Sequence, residues 1–210
     1  MTPTTNDTIV ESGLRGLRAR PGPRFGAAVL REVGIVDDYA PAETVVGQVY
    51  VAMSRRGVSR VHTAGSAEEF EELYTTEFGR PLRRVGLPVP IGRALENGDG
   101  TALDYDLRGL SEYWRSVLHA TLGIPRGAVR SYSWVAGEAG RPRAVRAAGS
   151  ALAGNPVPLL IPCHRVVRID GRIGEYGLGG PSNKRRLLSH EGLDVDALLP
   201  WTRGEADPKY

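Results

Sequence analysis

Two apolar runs meet at a single cysteine in the stretch Leu159-Leu160-Ile161-Pro162-Cys163-His164-Arg165-Val166-Val167. Pro162 ends the first run, which places the thiol where a buried strand breaks. Because Cys163 is the only cysteine among 210 residues, it cannot form a disulfide within the chain or build a multi-cysteine zinc site. It is therefore either a small packed side chain or a reactive nucleophile. The adjacent His164 and nearby arginines favour thiolate over thiol, which indicates the nucleophile.

The composition describes a chain that can bury a real core. Hydrophobic residues make up 41% of the 210, enough for one or two domains. No run approaches the ~20 apolar residues of a membrane span, and the N-terminus lacks the apolar segment of a secretory signal. We therefore expect no membrane role and a cytoplasmic location. Residues 1–26 are polar and rich in Arg, Pro and Gly, which predicts a flexible leader.

Positive charge is concentrated in one part of the chain. The whole chain has a net charge of +3, but residues 126–190 contain eleven Lys or Arg and three acidic residues, a net charge of +8. The remainder must then carry −5. Such clustering indicates a polyanionic partner, nucleic acid first among them. The alternative is a solvated arginine-rich surface.

The pattern of elements predicts an α/β protein with two halves that meet near 107–109. A small strand-rich α/β scaffold domain is predicted over 27–108. A mostly helical domain with a helix-turn-helix is predicted over 109–192, and a tail follows over 193–210. In the first half, Ser66 and Glu69 form a capping box ahead of an amphipathic helix. Alternating residues predict strands at 47–53 and 58–63, a shorter one is predicted at 103–107, and Pro, Gly and Asn predict a loop over 88–100.

The second half is predicted to begin with a helix capped by Ser111. Two short helices, 133–139 and 142–153, are predicted on either side of a glycine turn, with Pro142 in the first turn of the second. This pattern is typical of a helix-turn-helix, although any helical hairpin would also match. The many small side chains of the second helix would allow close approach to another helix or to a groove of DNA.

Several motifs follow one another over 113–192 in a specific order. They are Ile124-Pro125-x-Gly127, Ser131-Tyr132, Arg143-Ala144-Val145-Arg146-Ala147, Gly154-Asn155-Pro156, Ile161-Pro162-Cys163-His164-Arg165-Val166, then Tyr176, a glycine-rich loop, Lys184 and His190-Glu191-Gly192. In order and near-identical spacing, this region resembles the C-terminal domain of the O6-alkylguanine-DNA alkyltransferases. The first half is similar to that family in outline, through Asp106-Leu107-Arg108.

The resemblance implies a chemistry in which Cys163 accepts an alkyl group from guanine O6 in DNA. Because a thioether is stable, the protein would act once and would need no cofactor; no metal site is expected. The catalytic roles that the resemblance implies are His164 as a base acting through water, Glu191 as the group that orients it, Tyr132 as a donor to N3 of the base, Asn155 as a brace of the active-site turn, and Lys184 as a further candidate.

The resemblance also implies that a monomer binds double-stranded DNA containing O6-alkylguanine and flips the damaged base out of the stack. Arg146 would fill the vacated space; the alternative is a phosphate clamp. The other implied DNA-binding residues are Ser131, Arg143, Ala144 and Ala147. The base pocket would be formed by Leu152, Val166, Tyr176 and Gly177, with backbone carbonyls of Cys163 and Val166 reading the purine edge.

Two departures from the family bear on specificity. The chain carries one residue more than usual between Tyr176 and Lys184, and Gly177 stands where some members have serine. We therefore expect methyl adducts to be accepted and leave larger adducts open. Two other readings compete: a non-catalytic lesion sensor, whose known relatives lack the acceptor cysteine, and a transcription regulator that uses the helix-turn-helix.

Overall fold

The computed structural model describes residues 29–30 and 34–195. The leader predicted over 1–26 lies outside the described residues, as do 196–210 of the predicted tail. Within the described residues, no helix is long and apolar enough to cross a membrane.

A four-stranded sheet organises the first half. Its strands are β1 (Asp37–Thr44), β2 (Gly47–Ser54), β3 (Gly57–His62) and β4 (Leu82–Arg84), in the order β3-β2-β1-β4. The first three form an antiparallel meander, and β4 pairs with β1 in parallel at Asp37, Asp38 and Tyr39. Pro41 has no N–H to donate, but it lies beyond the short parallel pairing of β1 with β4. The proline therefore removes no hydrogen bond from that pairing.

Helix α1 (Ala67–Phe78) covers one face of this sheet. The predicted cap is confirmed, because the Ser66 side chain accepts a hydrogen bond from the Glu69 N–H. Four aromatic rings join helix and sheet in one buried cluster: Tyr39, Tyr50, Phe70 and Tyr74. Burial of such rings contributes much of the energy that holds a small layer together.

The second half is mostly helical, and with the sheet of the first half it confirms the predicted α/β class. Its elements are α3 (Glu112–Leu122), β5 (Arg130–Ser131), α4 (Tyr132–Glu138), α5 (Val145–Ala153), a 3-10 turn (Cys163–Arg165), β6 (Val166–Val167) and α6 (Gly180–His190). Ser111 caps α3, as predicted. Strands β5 and β6 pair in parallel and bring the segment after the cysteine beside the start of α4.

Three predicted elements need correction. The segment 88–100 is not a loop: α2 (Val89–Asn97) begins after Pro88, tolerates Pro90 in its first turn, and ends at Gly98 in the left-handed conformation. The strand predicted over 103–107 is a single bridge between Val58 and Tyr105. The helix predicted from Pro142 begins at Val145, since an Arg141–Ala144 turn precedes it.

The two halves share one hydrophobic core. Buried side chains of the sheet, such as Val51 and Val61, belong to the same cluster as Leu160 and Ile161 just before the cysteine. The Val61 N–H also donates to the Pro156 carbonyl at 2.8 Å. The first half therefore supports the turn that carries the cysteine, and the boundary at 108/109 stays a prediction.

Candidate active site

A braced turn presents the cysteine. The side-chain oxygen of Asn155 accepts from the Val157 N–H at 3.1 Å, and its Nδ2 donates to the Ile161 carbonyl at 2.9 Å. The same Nδ2 lies 3.2 Å from Cys163 Sγ. Within this loop Leu159 adopts a φ of 73°, which is uncommon for a leucine and indicates a tightly constrained backbone. Asn155 therefore connects the two ends of the turn and the thiol in one network.

The thiol of Cys163 is buried, with 6% of the residue exposed. Burial raises the pKa of this thiol, although the hydrogen bond from Asn155 and the charge of Lys184 act in the opposite direction. The charged and polar neighbours therefore act in the expected direction, but burial outweighs them and the pKa of the thiol lies above its ordinary value. The guanidinium of Arg165 binds Glu191.

A histidine–carboxylate pair lies beside the cysteine. Nε2 of His164 is 3.0 Å from Oε1 of Glu191, and both side chains are buried. Burial lowers the pKa of His164, and the neighbouring carboxylate offsets this in part. Burial alone would raise the pKa of Glu191, but hydrogen bonds from His164 and Arg165 outweigh it and lower that pKa to about 2. The pair is thus a neutral imidazole that donates to an ionised carboxylate.

The other imidazole nitrogen is left free to accept a proton. Nδ1 of His164 is buried and has no hydrogen-bond partner among the described residues. Since Nε2 carries the imidazole proton and donates it in the hydrogen bond to the carboxylate, Nδ1 is the unprotonated, basic nitrogen. His164 in this tautomer, next in sequence to Cys163, can accept the thiol proton at Nδ1.

Lys184 is a buried cation next to the site. Its Nζ donates to the Val166 carbonyl at 2.6 Å and to the Glu175 carbonyl at 3.3 Å, and it lies 5.8 Å from the centroid of the Tyr132 ring. Burial lowers the pKa of Lys184 to about 8, against the opposing effect of Cys163 and Glu175. Its charge favours a thiolate at Cys163 once the proton leaves.

A cleft of about 1210 Å³ opens onto the thiol. Its wall includes seven residues that the sequence singled out: Tyr132, Arg143, Arg146, Leu152, Cys163, Tyr176 and Gly177. Burial raises the pKa of Tyr132, so that its hydroxyl stays protonated at neutral pH and can donate. Tyr176 is buried and its hydroxyl has no partner among the described residues. An apolar cleft with a few convergent polar groups is typical of a ligand site.

Four of the predicted DNA-binding and base-pocket residues lie outside the wall of this cleft. Ser131 is buried and caps α4 through its hydroxyl. Val166 is buried and presents its carbonyl to Lys184. Ala144 precedes α5 and is half-buried, whereas Ala147 is exposed on that helix beside Arg146.

Arg165 is the site residue that the sequence reasoning missed. It is buried, and its guanidinium binds both oxygens of Glu191. A fixed charge inside an otherwise apolar run was the available signal, because a buried arginine needs an anionic partner. Among the described residues no group of three or more His, Cys, Asp or Glu side chains could hold a metal ion.

Comparison with known proteins identifies relatives along most of the chain. Residues 112–193 match the family model described as "6-O-methylguanine DNA methyltransferase, DNA binding domain". The methylated-DNA–protein-cysteine methyltransferase of Rattus norvegicus is 42% identical over 117 residues, which are 55% of this chain and 51% of that protein. The Homo sapiens protein of the same name is 45% identical over 164 residues, covering 71% of this chain and 78% of the human protein.

A solved structure has a similar fold. Mycobacterium tuberculosis OGT in complex with DNA superimposes with a TM-score of 0.60 at 27% identity, covering 73% of this chain and 92% of that one. The chain spans about half the length of the rodent relatives that it matches.

Proposed function

Since the chain belongs to the O6-methylguanine-DNA methyltransferase family, we propose that it repairs DNA by moving the alkyl group of O6-alkylguanine to its own Cys163. One observation carries this proposal: the buried thiol lies on a large cleft, next to a histidine whose free nitrogen is basic. The proposal explains why a cysteine with a raised pKa can still react. Its proton leaves only when a base is in place to take it.

The proposed reaction is an in-line displacement at the alkyl carbon. The bond from that carbon to Sγ of Cys163 forms as its bond to guanine O6 breaks. The thiol proton passes through a water to Nδ1 of His164, and Tyr132 donates a proton to the departing purine, so that guanine leaves as a neutral base. The proton held by His164 then returns through solvent to the Tyr132 phenolate, so that the proton lost by the thiol balances the one gained by guanine. The thioether is stable, and each molecule therefore acts once and needs no cofactor.

Lys184 supports two parts of this reaction. Its buried charge stabilises the sulfur as a thiolate before the new bond forms. It also occupies one acceptor position of the Val166 carbonyl. A carbonyl oxygen has two lone pairs, so the second one is left to read the purine edge.

The proposed partner is double-stranded DNA, contacted from the minor groove by α5. Arg143 and Arg146 are exposed and line the cleft, so a flipped base entering it would pass between them and the thiol. We propose that Arg146 fills the gap that the flipped base leaves. We propose that the protein acts as a monomer. A cytoplasmic location would keep the free thiol reduced.

Mass spectrometry tests the transfer. A duplex with one O6-methylguanine should add one methyl group per protein molecule, on the peptide that contains Cys163, whereas an undamaged duplex should add none. Tight binding to the damaged duplex with an unmodified Cys163 would instead support the hypothesis of a non-catalytic lesion sensor.

A pair of arginine variants tests base flipping. Arg146→Ala should slow transfer from duplex DNA but not from the free O6-methylguanine base. Arg93→Ala removes the same charge from the exposed surface of α2 and should leave both rates unchanged. Equal slowing of Arg146→Ala on duplex and free base would count against the flipping role.

A further inference from the structure

We infer that Arg165 is a positioning residue of the transfer reaction, which holds the Glu191 carboxylate against His164 and anchors it to the first half through the Gly98 carbonyl. This inference rests on the proposed transfer to Cys163. Arg165 touches neither the cleft nor the thiol, so it would act through Glu191.

The guanidinium of Arg165 contacts three separate parts of the chain. Nε lies 3.0 Å from Oε2 of Glu191, and Nη2 lies 2.7 Å from Oε1. Nη1 donates to the Ile124 carbonyl at 2.7 Å and Nη2 to the Gly98 carbonyl at 2.6 Å. The residue is 2% exposed. Planar, charge-assisted contacts of this kind fix position as well as charge, so Glu191 has little freedom to move.

The charge state of Glu191 decides which nitrogen of His164 is basic. An ionised carboxylate accepts a hydrogen bond from Nε2–H and so leaves Nδ1 without a proton. A protonated Glu191 would instead donate to Nε2, the imidazole proton would move to Nδ1, and the base would be lost. Arg165 favours the ionised form of Glu191, and its charge also helps to lower the pKa of His164. Both effects keep Nδ1 ready to accept a proton.

Arg165 is the cation that binds the Glu191 carboxylate in the part of the chain that the structure describes. Within residues 34–195, the hydrogen bonds given to the Glu191 carboxylate come from His164 and Arg165. A second cleft, of about 430 Å³, is lined in part by His164 and Glu191. The charged or titratable groups that face this region from the neighbouring elements are Glu43, Glu96, Asp99, Arg126, Tyr176, Lys184 and His190. Most of them are exposed, so water screens their charges.

A substitution at Gly98 offers a second way to disturb the contact between Arg165 and Glu191. It ends α2 with a φ of 66°, and an added Cβ would lie 2.6 Å from Nη2 of Arg165 and 3.2 Å from Oε1 of Glu191. Gly79 ends α1 with a φ of 67° and the same kind of backbone hydrogen bond, but no atom lies within 4 Å of an added Cβ. Gly79→Ala therefore reproduces the backbone strain of Gly98→Ala without disturbing Arg165.

The first experiment compares pH profiles of single-turnover transfer for wild type, Arg165→Gln and Arg165→Lys. Loss of the cation should raise the pKa values of Glu191 and His164. Activity of Arg165→Gln should therefore fall at low pH and recover at higher pH, with the acid limb of the profile moved upward by roughly 1–3 pH units. Arg165→Lys keeps the charge but not the forked geometry, so its acid limb should stay near that of wild type while its rate falls. An equal loss at every pH would show a merely structural role.

The second experiment uses the glycine pair. Gly98→Ala should slow transfer by about 10-fold or more, a fraction of what a general base can contribute, while affinity for the duplex is unchanged. Gly79→Ala should match wild type in rate. Equal rates for the two variants would overturn the inference.

Nitrogen NMR of the His164 ring separates this inference from the proposed function. The ¹⁵N shifts should show a proton on Nε2 in wild type and a population protonated on Nδ1 in Arg165→Gln, whether or not methyl transfer occurs. If wild type fails to methylate Cys163 but shows this change, the proposed function fails and the positioning role survives. If wild type transfers and the tautomer of Arg165→Gln is unchanged, the positioning role fails alone.

Discussion

Replacing Asn155 with alanine tests whether the brace of the active-site turn also controls the thiol. The substitution removes the hydrogen bonds to the Val157 N–H and the Ile161 carbonyl, together with the contact to Cys163 Sγ. The buried Val157 N–H loses its partner, and the Ile161 carbonyl keeps only the hydrogen bond from the Cys163 N–H; together these losses should cost about 2–4 kcal/mol of the free energy of unfolding. For a chain of this size, that corresponds to a fall of about 4–16 °C in the melting temperature.

The same substitution should change the chemistry of the thiol in a predictable direction. The hydrogen bond from Asn155 lowers the pKa of Cys163, so its loss should raise that pKa further above its ordinary value. At neutral pH the thiolate fraction falls and alkylation slows. Because the chain has one cysteine, the rate of reaction with iodoacetamide as a function of pH reports on Cys163 alone.

Asn183→Ala is the matched control for this prediction. Its side chain makes one hydrogen bond, to the Leu178 carbonyl at 3.2 Å, and should cost about 1 kcal/mol without changing the thiol. If Asn155→Ala loses no more stability than Asn183→Ala, and the midpoint of its pH–rate curve is unchanged, the reasoning about the brace is refuted.

Three further outcomes are expected. Gly154→Ala places a Cβ 2.7 Å from the Trp114 ring and should cost about 1–3 kcal/mol in thermal unfolding, whereas Gly137→Ala meets no atom within 4 Å and should gain about 0.5–1 kcal/mol. The lowered pKa of Glu191 means that its contribution to stability is complete above about pH 4.5 and is lost as the pH falls toward 2. In denaturant titrations, the free energy of unfolding of Glu191→Gln should therefore depend less on pH than that of wild type. Parallel curves of this free energy against pH for the two proteins would contradict the expectation. Tyr132→Phe should slow transfer about 100-fold without changing affinity for the duplex; an unchanged rate would remove Tyr132 from the mechanism.

Local sequence signals correctly predicted the elements that depend on interactions between residues close together in the chain. Ser66 and Ser111 cap helices as expected, because a cap depends on neighbours three residues away. The same rules misled where proline and glycine had two meanings. Pro88 and Gly98 suggested a loop, but they lie at the two ends of a helix, since a helix tolerates proline at its start and favours glycine at its end.

Strand β1 illustrates a limit of pattern reading. Its paired acids and central Pro41 give no alternating signal, and the strand exists because β2 and β4 pair with it. Context of this kind overrides the weak intrinsic preference of a short segment for the strand conformation.

The order and spacing of motifs along the chain were enough to predict the family and to single out Cys163, His164 and the distant Glu191 as its candidate site residues. The protonation states of these groups depend on the folded structure. Burial raises the pKa of Cys163, and Arg165, held by the Gly98 and Ile124 carbonyls, helps to lower the pKa of Glu191. The reason is physical: desolvation and ion pairing depend on distances between residues far apart in sequence, which no local motif records.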